Sequence, residues 1–159
     1  ALDSDRAELC RRTFTGKNYE VSTMEIDRDT DSYMIFTVNE ILSKYKDAQL
    51  FLIIGSDMFL SFHKWYKYRE IMKKCTLCVM SREDEDTVKA LRSYAFSTLH
   101  IYMPSNEANG IIISPSSPLE ISSTEIRQKI SAGDDVSDVL TKEAYEFIKE
   151  RGMYGYAKK

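Results

Sequence analysis

Residues Leu50-Phe51-Leu52-Ile53-Ile54 run apolar without a break and stop at Gly55. A strand with one face in water alternates apolar and polar residues, whereas a strand that is apolar throughout is buried on both faces, as in the middle of a parallel sheet. This run therefore constrains the fold more than any other segment, and the pattern around it agrees. Val38, Ile41, Leu42 and Tyr45 are spaced i, i+3, i+4, i+7 and predict an amphipathic helix before it. Tyr68, Ile71 and Met72 predict a helix after it, then Cys75 to Met80 a strand and Val88, Leu91 and Ala95 another helix. Thr98 to Tyr102 reads as a short strand and Ile111 to Ile113 as a third apolar run, with Pro104–Gly110 and Ser114–Pro118 as loops. At the front, Ala7, Cys10 and Phe14 share a helical face ahead of Gly16 as a stop, and Tyr19 to Ile26 reads as a strand burying Val21 and Met24 or Ile26. At the end, helices are predicted over Thr124–Ser131 and over Thr141–Arg151, the latter closed by Gly152. Strands separated by single helices imply right-handed βαβ units, so the expected class is α/β: one domain with an open parallel sheet and helices on both faces.

Composition narrows the function classes. A length of 159 residues suits a single domain with a real core. With 22 basic and 25 acidic side chains and a net charge of -3, bulk charge does not recommend the surface for nucleic acid or anionic lipid. No apolar run approaches a membrane span and no charged-then-apolar leader opens the chain, so a soluble, cytoplasmic protein with neither nucleic-acid nor membrane partners is expected. Three cysteines do not make a disulfide scaffold at this length. Cys75 and Cys78 have C-x-x-C spacing, but positions three apart on a strand face opposite sides, so buried, inert thiols are expected and no protein metal site.

In an open parallel sheet the chemistry lies in the loops beyond the carboxyl ends of the strands. The first such loop is Gly55-Ser56-Asp57, where glycine admits close approach and an acidic residue can bind ribose hydroxyls; equally, Asp57 could cap the next helix. Ten residues' reach beyond Gly55 brings Trp65, the single tryptophan, which suits either a half-buried core place or stacking on a heteroaromatic ring. The third is Ile121-Ser122-Ser123-Thr124-Glu125-Ile126-Arg127. Its hydroxyls suit a helix start whose free N–H groups attract anions, and Arg127, one turn beyond Thr124, could join them around a phosphate. An ordinary N-cap beside a surface arginine is the plain alternative.

Taken together, Gly55-x-Asp57, Trp65 and Ile-Ser-Ser-Thr-x-Ile-Arg at 121–127 resemble bacterial nicotinate-nucleotide adenylyltransferases, members of the nucleotidyltransferase superfamily. Glu143-Ala144-Tyr145-Glu146-Phe147-Ile148 with Gly152-Met153-Tyr154 is similar to that family's last helix and tail, and Asp5-Arg6 through Phe14 to its second helix. The resemblance implies a Rossmann-like fold and transfer of AMP from ATP, with Mg2+, to nicotinate mononucleotide, giving deamido-NAD and pyrophosphate in NAD biosynthesis. It implies that Gly55 and Asp57 hold the ribose and adenine of ATP, and that Ser122, Ser123, Thr124 and Arg127 hold its phosphates, Arg127 also acting in catalysis. It places Trp65 against the nicotinate ring, Tyr33 in the pyridine pocket and Arg82 near the substrate. No protein nucleophile is needed, because the attacking group is itself a phosphate; the enzyme supplies in-line positioning and charge stabilisation.

The chain departs from that family at two places. After Ser32-Tyr33 it continues Met34-Ile35-Phe36-Thr37, where the family commonly has Thr-x-Asp-Thr. It has no His-x-Gly-His loop: His63 beside Trp65 reads as a surface or pocket-rim residue and His100 as a strand residue. The resemblance thus implies a domain without its first strand and histidine loop, incomplete at its N-terminus. The competing expectations are a different acceptor, nicotinamide mononucleotide or phosphopantetheine, and a non-catalytic nucleotide-binding domain. Assembly as a homo-oligomer is left open.

Overall fold

A computed structural model describes residues 1–82, 85–116 and 122–156. They fall into two compact units, Ala1–Arg28 with Glu120–Lys159, and Asp29–Leu119.

The Asp29–Leu119 unit carries the sheet. Helix α2 (Met34–Lys44; α1 belongs to the other unit) is followed by strand β1 (Leu50–Gly55), the short helix α3 (Ser56–Leu60), a 3-10 turn (Phe62–Lys64) and α4 (Tyr68–Lys74). Then come β2 (Cys75–Arg82), α5 (Glu85–Ser97), β3 (Glu107–Ala108) and β4 (Ile111–Ser116). The strand order is β1-β2-β4-β3, with β1, β2 and β4 parallel and β3 antiparallel to β4. Every second residue of the parallel strands faces the same core: Ile54, Cys75, Leu77, Val79, Ile111 and Ile113 are buried against Ile35 and Val38 of α2, Phe59 of α3, Ile71 of α4 and Leu91 and Ala95 of α5. Each large side chain buried there contributes on the order of 1.5–3 kcal/mol. The opposite face of β1 shows Phe51 and Ile53, exposed by 51% and 69%. The run is apolar on both faces, as the sequence requires, but within this sheet β1 is an edge strand with one covered face.

Two predicted strands are absent. Tyr19–Ile26 is irregular and ends in a turn, in which the Ile26 and Asp27 N–H groups donate to the Thr23 carbonyl at 2.8 and 2.9 Å and the Thr23 hydroxyl to Asp27 at 2.6 Å. A strand needs a ladder neighbour, and among the described residues this segment has none. Ile26 is accordingly exposed. Thr98–Tyr102 instead folds back onto the end of α5: the Thr98 N–H bonds the Tyr94 carbonyl and the Ile101 N–H the Ala95 carbonyl, both at 2.9 Å. Between them His100 is left-handed, with φ 60°, which no strand accommodates. His100 is therefore an exposed loop residue. Conversely, the segment read as the loop Pro104–Gly110 contains β3, and Asn109-Gly110 turns the chain into β4 with φ of 49° and 78°. Ser114 to Ser116 continue β4 rather than opening a loop, whereas residues 117 and 118 lie outside the described residues.

The other unit is helical: α1 (Asp3–Thr13), α6 (Ser123–Ala132) and α7 (Lys142–Arg151), with a 3-10 turn at Met153–Gly155. Helix α1 ends three residues before Gly16, at a cap on Phe14, which lies exposed beside Tyr19. It is held to α7 by Asp5–Arg151 at 3.0 Å and by the Arg12 guanidinium, 4.4 Å above the Phe147 ring. Ile130, Val136, Phe147, Ile148 and Met153 form this unit's core. Thr141 caps α7 and Gly152 closes it in the left-handed conformation, as predicted. No helix among the described residues is long and apolar enough to cross a membrane.

Candidate active site

Because β1, β2 and β4 are parallel, their carboxyl ends share one edge of the sheet, and the register puts Gly55 opposite Met80 and Arg82 opposite Ser116 there. Gly55, Asp57 and Arg82 thus belong to the same edge. The Arg82 backbone closes β2; its side chain lies outside the described residues. Gly55, not Asp57, is the N-cap of α3, and Asp57 stands in the helix's first turn. The capping role open to Asp57 is therefore not the one it takes. Its carboxylate folds back over Gly55 instead: a Cβ on Gly55 would lie 2.6 Å from Asp57 Oδ1. Glycine at 55 is needed by the carboxylate, not by the backbone, whose φ is -74°. Asp57 itself is exposed, so the carboxylate is available to a ligand.

Trp65 follows the Phe62–Lys64 turn. The indole is half-buried, packed on the core and 5.2 Å from the ring of fully buried Phe62. The two roles left open for it are compatible, since the ring packs on the core yet remains partly accessible. Tyr33, the N-cap residue of α2, is 42% exposed and joins a ring cluster that sequence reasoning missed. Its centroid lies 4.7 Å from Tyr66 and 6.0 Å from Phe36, which are 6.1 Å from each other. The signal was present, since Phe36 is one helical turn beyond Tyr33 and Tyr66 is next to Trp65. Phe36 also occupies part of the stretch where the chain departs from Thr-x-Asp-Thr, so an aromatic ring stands there in place of small polar groups.

The phosphate-type loop lies in the other unit. Ile121 is outside the described residues. Ser122 is the N-cap of α6 in a reciprocal capping box: its hydroxyl accepts from the Glu125 N–H at 3.1 Å while its own N–H donates to the Glu125 carboxylate at 2.6 Å. These bonds from the Ser122 hydroxyl and N–H hold the Glu125 carboxyl below its ordinary 4.5. Ser123 and Thr124 are exposed in the first turn, and among the described residues their hydroxyls have no partner. Arg127, exposed, makes no ion pair among the described residues and lies 5.8 Å from the Tyr154 ring centre. With Leu9, Ser123, Ile126 and Tyr154 it lines a cavity of about 190 Å³. A helix N-terminus with two unengaged hydroxyls and an unpaired guanidinium is an anion-binding arrangement.

The described residues hold no cluster of three or more His, Cys, Asp and Glu side chains suited to a metal ion. Cys75 is buried and Cys78 half-buried on opposite faces of β2, both free thiols, and burial pushes the Cys75 thiol up from its usual 9.0.

Strand β1 ends at Gly-x-Asp and α6 starts at a capped Ser-Ser-Thr, and residues 2–129 match the cytidylyltransferase-like family model. A protein of Legionella pneumophila named probable nicotinate-nucleotide adenylyltransferase is 31% identical over 144 residues, covering 86% of this chain and 68% of the relative. A protein of the same name from Shewanella frigidimarina is 30% identical over 143 residues with the same coverage, and one from Staphylococcus epidermidis is 29% identical over 136 residues, 86% of this chain and 62% of the relative. The solved structure of Plasmodium falciparum nicotinic acid mononucleotide adenylyltransferase complexed with APC shares the fold, with a TM-score of 0.52 at 15% identity over 82% of this chain and 61% of that one. The chain belongs to the cytidylyltransferase-like family and, within it, to the nicotinate-nucleotide adenylyltransferases.

Proposed function

We propose that this chain transfers AMP from ATP to nicotinate mononucleotide, forming deamido-NAD and pyrophosphate, as a cytoplasmic enzyme of NAD biosynthesis. The observation that carries the reading is the agreement of the relatives' common name with the loops at 55–57 and 122–127. A phosphate oxygen of nicotinate mononucleotide attacks the α-phosphorus of ATP; the bond from that phosphorus to the bridging oxygen breaks, and pyrophosphate leaves with the electron pair. No side chain becomes covalently attached, so the protein's part is placement and charge.

Gly55 and Asp57 take the ribose and adenine end of ATP, which the exposed Asp57 carboxylate supports. Ser122, Ser123, Thr124 and Arg127 take the phosphates, supported by the exposed Ser123 and Thr124 hydroxyls at the α6 start and by the Arg127 guanidinium, which makes no ion pair among the described residues. There Arg127 offsets charge that builds as pyrophosphate departs. Magnesium enters with ATP as its phosphate-bound counter-ion. Trp65 and Tyr33 flank the pyridine ring, a reading supported by the partly accessible indole, and Arg82, at the same strand edge as Gly55, lies near the substrate. Both units belong to one nucleotidyltransferase domain, a reading supported by the family match running through both.

A second reading is a domain that binds the nucleotide without turning it over. Pyrophosphate release with MgATP and each of nicotinate mononucleotide, nicotinamide mononucleotide and phosphopantetheine tests both. Release with nicotinate mononucleotide in clear preference supports the proposal. Preference for another acceptor overturns it, and calorimetric ATP binding without release establishes the second reading.

A further inference from the structure

The Tyr94 hydroxyl joins two segments 31 residues apart in the chain. Tyr94 lies on α5, half-buried, its ring edge-on to fully buried Phe59 at 5.2 Å and 74°, so packing fixes where the oxygen sits. That oxygen accepts the His63 backbone N–H at 3.0 Å and lies 2.9 Å from His63 Nδ1. An oxygen that already accepts from an amide can turn its own proton toward Nδ1, which sets neutral His63 as the tautomer protonated on Nε2. Burial raises the Tyr94 hydroxyl above its usual 10.0, so it keeps the proton it donates. His63 is the middle residue of the Phe62–Lys64 turn, and Trp65 comes directly after, its N–H bonded to the Phe62 carbonyl at 2.9 Å. The turn is therefore pinned by Phe62 in the core and by two hydrogen bonds through His63, two residues before the indole.

We propose that Tyr94, acting through His63, is a positioning residue for the acceptor: it fixes the turn that presents Trp65 to the pyridine ring. The proposal rests on the reading that Trp65 meets that ring, and it adds a pair of residues that touches no substrate. Neither the indole nor the ring cluster at Tyr33 is held by Tyr94 directly, so its effect is expected on acceptor binding and not on ATP.

Since Trp65 is the single tryptophan, its fluorescence reports this turn alone. Tyr94→Phe keeps the ring against Phe59 and removes the hydroxyl. Losing bonds of this kind is expected to raise KM for nicotinate mononucleotide about 3- to 10-fold. The kcat and the KM for ATP should stay within about twofold, since the contact that changes holds the acceptor equally in the ground and transition states. Trp65 emission should lose steady-state anisotropy. His63→Ala keeps the backbone N–H and loses Nδ1, and a smaller change of the same kind is expected. Unchanged anisotropy in Tyr94→Phe overturns the tie whatever the kinetics show. Lower anisotropy with kcat and both KM values moving together overturns the acceptor-specific role and leaves a structural one. If the wild-type chain releases no pyrophosphate, the proposed function fails, while the anisotropy comparison still decides whether Tyr94 holds the turn.

Discussion

At the scale of single residues, the site rests on close approaches that sequence types only hint at. Gly55 was readable as a turn glycine, but its φ is ordinary; what demands a missing side chain is the Asp57 carboxylate folded over it. Gly55→Ala is therefore expected to push that carboxylate aside while the fold stays within about 0.5 kcal/mol of wild type, as for a substitution that strains no backbone. The expected result is a several-fold rise in KM for ATP with an unchanged melting temperature; an unchanged KM would show that the Asp57 position does not matter. The cysteines separate in the same manner. Cys10 is exposed and Cys75 buried with a raised thiol, so titration with a chromogenic disulfide should show Cys10 reacting first and Cys75 only on unfolding. Here the sequence was a good guide, because opposite faces of a strand follow from its period alone.

Among elements, periodicity served the helices and the long apolar runs and failed where a partner decides the outcome. Val88, Leu91 and Ala95 are all buried on α5, as their spacing requires. Tyr19–Ile26 has strand-like residues, yet a strand exists only by pairing, and sequence period carries no information about the neighbour. At Thr98–Tyr102 a left-handed His100 interrupts a run whose Leu99 and Ile101 still pack on the core. The hairpin at Asn109-Gly110 had a legible signal, the Asn-Gly pair, hidden inside a stretch read as loop because its first strand has two residues. Helix α6 is the element on which the candidate phosphate site depends. Ser122→Ala should cost about 1 kcal/mol in urea unfolding, the usual worth of such a cap. The Glu125 carboxyl is lower in the folded chain than its ordinary 4.5, so its half of the capping box is present above pH 4.5 and is lost as pH falls through the folded value. The difference between wild type and Glu125→Gln is accordingly expected to shrink on acidification below pH 4.5; a difference that grew would contradict the assignment of that bond.

For the whole molecule, the family was legible because its marks sit in loops at a strand end and a helix start, where residue type and chemistry coincide. What the loops could not convey was their surroundings: the aromatic trio of Tyr33, Phe36 and Tyr66 and the Tyr94 tie are long-range contacts that no local spacing encodes. The division into a sheet-bearing unit and a helical one was equally invisible, since the helical unit is assembled from the two ends of the chain. The central claim is one of group transfer, and it can be followed by atom. ATP labelled at the α-phosphorus, incubated with the chain, magnesium and nicotinate mononucleotide, and separated by chromatography, should deliver the label to deamido-NAD with none in pyrophosphate. Label that stays in ATP while the nucleotide binds, or that appears on a different acceptor in preference, would contradict the account.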